Sequence, residues 1–132
     1  MGFTLELLPD EPIMVVKGKG TLTAQDFTEM YDESRELLAG IKGPIYRIVD
    51  FRESTTSFMD LIRITQVATK GVEGSTTDPR IKAIVVGTNQ WISLGRTIFE
   101  QPQFSGLHFP TLESIEDALG YARKQLAAGA SA

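Results

Sequence analysis

Two short runs limit what this chain can fold into. Ile45-Tyr46-Arg47-Ile48-Val49 and the run IKAIVV from Ile81 to Val86 are apolar and rich in β-branched residues, the pattern of strands in the middle of a sheet. A helical segment separates them. Phe58, Leu61, Ile62, Thr65 and Val72 fall near one side of a helix, with Ser57 as N-cap and Asp60 three positions on as a weak capping box. Strands joined through a helix run parallel, so the centre of the chain reads as a strand–helix–strand unit. Between its first strand and its helix, Asp50 ends the apolar run. Arg52-Glu53-Ser54-Thr55-Thr56-Ser57 then reads as a polar loop, a natural place for binding or phosphorylation.

The flanking segments extend this unit. Phe3-Thr4-Leu5-Glu6-Leu7 alternates as a half-covered strand, Pro9-Asp10-Glu11-Pro12 turns, and Ile13-Met14-Val15-Val16 follows as a more buried strand. So short a connection makes the two antiparallel neighbours. Gly18 and Gly20, alternating with lysines, read as a bend or bulge. Thr23 caps a helix that carries Phe27, Met30, Tyr31, Ser34, Leu37 and Leu38 on one side and acids on the other. After the 81–86 strand, Gly87-Thr88-Asn89 breaks the run, and Trp91, Leu94, Ile98 and Phe99 mark another helical face. Leu107-His108-Phe109 reads as a short strand, with Pro110-Thr111 capping a last helix over Ile115, Ala118, Leu119, Ala122 and Leu126. The residues 127–132, AAGASA, are expected to fray.

The predicted fold is therefore α/β, a single domain over 3–126. It is a mixed β-sheet of order ββαβαβαβα, with an N-terminal antiparallel pair, the remaining strands parallel, and right-handed crossovers placing helices on both faces. At 132 residues one domain can bury a real core. A net charge of −4 offers no basic stripe to nucleic acid. The absence of cysteine rules out disulfides and thiol chemistry and fits a cytoplasmic address. No apolar run reaches the roughly 18 residues of a membrane span, and the first ten residues lack the regions of a signal peptide. Met1-Gly2 is not followed by the Ser or Thr of a myristoylation site.

The element order, the strand end Ile48-Val49-Asp50-Phe51, and the run Phe109-Pro110-Thr111-Leu112-Glu113 before an Ala-Leu helix resemble the STAS family. This is the anti-sigma-factor-antagonist fold, and the likeness is to its STAS/SEC14-like branch of small bacterial proteins, over roughly Phe3 to Leu126. The resemblance implies a non-enzymatic regulatory module that binds a protein partner. In sporulation-type members an Asp-Ser-Ser-Gly motif after the central strand is phosphorylated on serine by a partner kinase. The comparable stretch here is Phe58-Met59-Asp60-Leu61-Ile62. Asp60 matches, but Leu61 and Ile62 stand where the serines belong, so the phosphoacceptor does not carry over. Ser57 is the nearest substitute. A phosphate there gains from the helix N-terminus and is repelled by Asp60 and Glu53.

In an open α/β sheet ligands bind beyond the carboxyl ends of the parallel strands, near a switch in strand order. That edge should gather Asp50, Arg52, Ser54, Thr55, Thr56, Ser57, Thr88, Asn89 and Trp91 into one polar rim for a partner or ligand. The plainer account is that these hydroxyls and Asn89 cap helices and satisfy turns. His108, the only histidine, has no nucleophile elbow and no companion ligands, and reads as a strand residue. Asp50 and Asp60 as an acid/base pair have nothing to tune them apart. Trp91 either stacks on a ligand or packs with its helix. Neither a metal nor a cofactor is called for.

Three functions follow: a partner-binding module working through 50–57; a carrier of a small molecule or lipid in an apolar pocket near Trp91, Phe99, Phe104 and Phe109; and a flavodoxin-like nucleotide binder using the hydroxyl loop. A homodimer is one form the first could take.

Overall fold

The computed structural model describes residues 2–70, 73–102 and 109–131. Its elements follow the predicted order: β1 (Gly2–Leu7), β2 (Ile13–Thr21), α1 (Ala24–Leu37), β3 (Ile45–Thr55), α2 (Phe58–Ala68), β4 (Ile81–Val86), α3 (Gln90–Phe99), β5 (Thr111–Leu112) and α4 (Ile115–Ser131). The strands lie side by side in sequence order, β1 to β5. β1 is antiparallel to β2 and every other pair is parallel.

Sequential order has a consequence for the helices. Each crossover steps the same way across the sheet, and right-handed crossovers that step one way stack their helices on one face. Phe27, Met30 and Tyr31 of α1, Ile64 and Ala68 of α2, and Ile92 and Phe99 of α3 accordingly share one core with Met14, Val16, Val49 and Val85. Among the described elements α4 alone covers the other face, where Ala118 and Ala122 meet Ile13, Ile48, Ile84 and Val86. Helices do lie on both faces, as expected. The expected switch in strand order does not exist, because the order never reverses.

The local signals differ in their reach. Thr23 caps α1 in a full capping box with Asp26, and Phe27, Met30, Tyr31, Ser34 and Leu38 are buried as predicted, with Leu37 turned outward. The face of α2 is different. Leu61, Ile64, Thr65 and Ala68 are buried, Phe58 is exposed, and Val72 lies outside the described residues. In α3 the buried residues are Ile92, Gly95 and Phe99. Of the predicted face Trp91, Leu94, Ile98 and Phe99, Phe99 is buried, while Ile92 and Gly95 take the inward places one position on from Trp91 and Leu94. Gly95 is silent in a hydropathy pattern, yet it faces α2: a Cβ there would stand 3.3 Å from Leu61 Cδ1.

The C-terminal elements also shift. Leu107 and His108 lie outside the described residues, and the short strand is Thr111–Leu112, paired with Val85 and Val86. Thr111 thus belongs to the sheet and does not cap. Ser114 caps α4 instead, its Oγ accepting from the Asp117 amide at 3.0 Å. The 127–131 segment continues α4 where fraying was expected.

Candidate functional site

The largest departure from expectation is the stretch that reads as a loop. β3 runs on to Thr55, so Asp50, Arg52, Ser54 and Thr55 are strand residues, and only Thr56 and Ser57 link strand to helix. The reason is tertiary. β2 also continues past Gly18 and offers Lys19, Gly20 and Thr21 as partners to Glu53, Ser54 and Thr55. The register shifts between Lys17, opposite Asp50, and Lys19, opposite Glu53, so β3 carries one extra residue across from Gly18. Such a bulge re-aims the strand beyond it. Before the bulge β3 is buried; after it the strand is mostly exposed.

Asp50 marks the transition. Its Oδ1 accepts from the Arg52 amide and from Nε, both at 3.0 Å, and Oδ2 accepts from Nη2 at 2.8 Å. Burial pushes the Asp50 carboxyl up, but the Arg52 hydrogen bonds and the charges of Arg52 and Lys17 outweigh it and hold the group below the usual carboxylate range. The same bonds raise Arg52. Asp60 belongs to a separate set, bonding Ser57 Oγ at 3.0 Å and pairing with Arg63 at 3.6 Å. Asp50 and Asp60 therefore make no acid/base couple.

Past the bulge, α3 and α2 converge on the end of β3. Asn89 precedes α3 without capping it by its side chain; its Nδ2 donates to the carbonyls of Phe51 at 3.0 Å and Ser54 at 3.4 Å. Trp91 Nε1 donates to the Ser54 carbonyl at 3.3 Å, while its ring meets Phe51 edge-on at 4.7 Å between centroids. Ser54 Oγ donates to the Phe51 carbonyl at 2.8 Å and Thr56 Oγ1 to the Leu22 carbonyl at 2.7 Å. Ser57 caps α2, its Oγ accepting from the Asp60 amide at 3.1 Å. Thr55 and Thr88 are exposed. The predicted rim residues do gather at one edge, but most of their polar groups fasten that edge together. What they build is a hydrogen-bonded platform.

An apolar patch adjoins it. Phe58 is 60% exposed, Met59 59% and Leu94 40%. Phe58, Leu94 and Trp91 line one shallow depression with Thr56, Ser57 and Gln90, next to the broader hollow formed by Gly20, Arg52, Thr55, Asn89 and Trp91. The hydropathy pattern turns Phe58 and Leu94 inward. Centring the α2 wheel on Ile64 places Phe58 outside.

The opposite end of the sheet holds a cluster that no sequence pattern announces. Asp78 accepts from the Arg80 amide at 2.9 Å, from Arg80 Nη2 at 3.1 Å and from the Gly74 amide at 2.9 Å. Burial raises its carboxyl, but these bonds and the Arg80 charge bring it below the usual range. Arg80 Nη1 reaches on to the Ile41 carbonyl at 2.7 Å, tying the entry of β4 to the end of α1. Beside it Arg47 is fully buried in β3, against Ser34, Gly74 and the Tyr31 ring. Burial pulls the Arg47 guanidinium down and pushes the Tyr31 phenol up.

Among the described residues no group of three or more His, Cys, Asp or Glu is placed to hold a metal ion, and no helix is long and apolar enough to cross a membrane. Phe104 and His108 lie outside the described residues. Phe99 and Phe109 meet edge-on at 5.8 Å, and both line an apolar cavity beneath α1, α2 and α3 of only about 60 Å³.

No protein-family model and no curated protein matches the chain. Solved structures do. An uncharacterized protein of the DUF3478 family with a SpoIIAA-like fold, from Shewanella loihica PV-4, aligns with a TM-score of 0.59 at 21% identity over 91% of this chain and 91% of that one. The anti-sigma factor antagonist SpoIIAA in its unphosphorylated form aligns with a TM-score of 0.54 at 15% identity, over 92% of this chain and 97% of that one. The fold is thus the SpoIIAA-like, STAS-type fold that the sequence resembles.

Proposed function

We propose that this chain is a non-enzymatic regulatory module of the cytoplasm that docks a protein partner on the platform at the carboxyl edge of the sheet. The apolar patch of Phe58, Met59 and Leu94 beside that platform carries the reading. Large apolar side chains exposed together at a polar-rimmed edge are the composition of an interface. Phe58 and Met59 open α2, directly after the cap Ser57, so the patch is held by the same fastenings as the rim.

The rival functions have less support. A lipid carrier needs an enclosed volume of about 300 Å³ or more, and the apolar cavity offers about 60 Å³. A phosphate-binding loop needs free donors at a helix N-terminus. Here Ser54 and Thr56 already donate to carbonyls, and Ser57 is engaged as the cap.

Ser57 is the hydroxyl that a modification would reach within this reading. Phosphorylation there would displace its bond to Asp60 and set two like charges side by side. Peptide mass spectrometry of natively expressed protein checks it, and a Ser57 peptide that is unmodified in every condition rules it out.

Affinity capture with a doubly substituted control tests the docking surface. A protein retained by the wild type should be lost from F58S/L94S, whose unfolding free energy in urea should stay within about 1 kcal/mol of wild type, about 0.5 for each exposed side chain. Identical captured proteins for both versions would overturn the assignment.

A further inference from the structure

The apolar patch of the platform has an arginine to each side of it in the chain's surface. Arg52 lines the broad hollow that shares Gln90 and Trp91 with the depression around Phe58 and Leu94. Arg63 stands four residues after Met59, one turn along α2 and on the same side of that helix. Both arginines are ion-paired, and in both pairs the carboxylate is recessed while the cation projects. Asp50 is 8% exposed against 46% for Arg52, and Asp60 24% against 62% for Arg63.

These pairs leave donors unspent. A guanidinium carries five N–H donors. Arg52 gives Nε and Nη2 to Asp50, and its Nη1 has no acceptor among the described residues. Arg63 comes no closer to Asp60 than 3.6 Å, beyond hydrogen-bond length. Glu53, on the wall of the same hollow, stands opposite Lys19 in the ladder, so those two charges offset one another. A partner arriving at this edge therefore meets an apolar centre with guanidinium N–H groups beside it. Such a surface selects carboxylates flanking apolar side chains. The third helix of this face has the opposite character: Glu29, Asp32, Glu33 and Glu36 of α1 are all exposed. An acidic partner is thereby kept to α2 and α3.

We propose that the docked partner is an acidic amphipathic helix, its apolar side chains on Phe58 and Leu94 and its carboxylates on Arg52 and Arg63. This rests on the docking reading above and adds the chemistry of the partner. A helix sets carboxylates three or four residues from its apolar stripe, the same one-turn offset that separates Met59 from Arg63.

Three labelled synthetic peptides of about 15 residues, long enough to form a helix, test this against the full-length protein by fluorescence anisotropy. They share one apolar stripe and carry Glu, Gln or Lys at the flanking positions. The Glu peptide should bind roughly fivefold more tightly than the Gln peptide, the gain of two exposed ion pairs. The chain's net charge of −4 repels the Glu peptide and attracts the Lys peptide at long range, so a preference for Glu can arise only at a local group of cations. R63Q should cut the Glu-to-Gln ratio by about half, and salt at about 0.5 M should abolish it in the wild type, which needs no variant to fold. F58S/L94S should lose every peptide. Equal binding of the Glu and Gln peptides, lost in F58S/L94S, would keep the docking surface and overturn the acidic partner. Tighter binding of the Lys peptide, or no binding of the Glu peptide, would overturn the acidic partner too, and the capture experiment still judges the platform by itself. Self-association of the chain that F58S/L94S abolishes would give the patch to a second copy and likewise overturn it.

Discussion

Asp50 and Asp78 meet the same problem in the same way. Each is buried at one end of the sheet, and each accepts from both the amide and the guanidinium of an arginine two residues on. In both, the folded carboxyl titrates below its ordinary value. The folded state then prefers the charged form, so the stability is complete above the unfolded value of about 4 and is lost as pH falls through the folded one. D50N/D78N should therefore lose less of its urea midpoint than wild type between neutral pH and about pH 3. The larger share should come from Asp78, because Arg80 is 24% exposed and Arg52 46%, and exposed pairs are screened. Parallel acid limbs would contradict this. Gly74 matters for a different reason: its φ of +86° is in the left-handed region, and an added Cβ would overlap the Tyr31 carbonyl oxygen. G74A should cost about 2–3 kcal/mol by urea unfolding. The buried Arg47 was not legible in the sequence, because its partners Ser34, Gly74 and Tyr31 come from other segments. The Asp-x-Arg staples are local, but only the packing of other elements over Asp50 and Asp78 sets them apart from any exposed Asp and Arg. Arg47 in an apolar run reads as any strand residue does. Thr23 and Asp26, which cap within a single turn, were legible at once.

The same division between near and distant partners separates the helices whose faces the pattern predicts from those it misplaces. α1 repeats its apolar face over several turns, and its cap lies within the segment, so face and boundary both emerge from the pattern. T23A should lower stability by about 1 kcal/mol, the usual worth of an N-cap. α3 has ten residues, and the position that sets its face, Gly95, has no side chain to register. The two assignments of that face make opposite predictions. With Ile92 buried and Leu94 40% exposed, I92A should cost about 2–4 kcal/mol and L94A no more than about 0.5. Equal losses would mean that α3 is rotated from its observed seat. β3 shows the converse error. Its hydroxyl-rich end looks like a loop because Ser and Thr favour local bonds, and only the continuation of β2 across the bulge provides the ladder that keeps it a strand.

Among the described elements three helices pack on one face of the sheet and one on the other, and this asymmetry follows from sequential strand order. α1, α2 and α3 support one another as well as the sheet. Among the described elements α4 has only the sheet beneath it, reached through the small residues Ala118 and Ala122, with an exposed ion pair from Arg123 to Glu11 at 2.9 Å. An element with one buried contact surface and no helix packed beside it opens at lower free energy than the strands it covers. Native-state hydrogen exchange should therefore give α4 amides protection at least about 1 kcal/mol below that of β3 amides. α4 and β3 exchanging at one common free energy would show that the two faces unfold together. The distinction bears on function because the platform is built by β2, β3, α2 and α3. Of these, α2 and α3 are held in the three-helix core with Met14, Val16 and Val49, while β2 and β3 meet α4 through Ile13 and Ile48 on the other face. Opening of α4 leaves every fastening of the rim in place, from Asn89 and Trp91 to Ser57. A protein docked at Phe58 and Leu94 should then slow exchange in α2 and α3 and leave the α4 rates as they were.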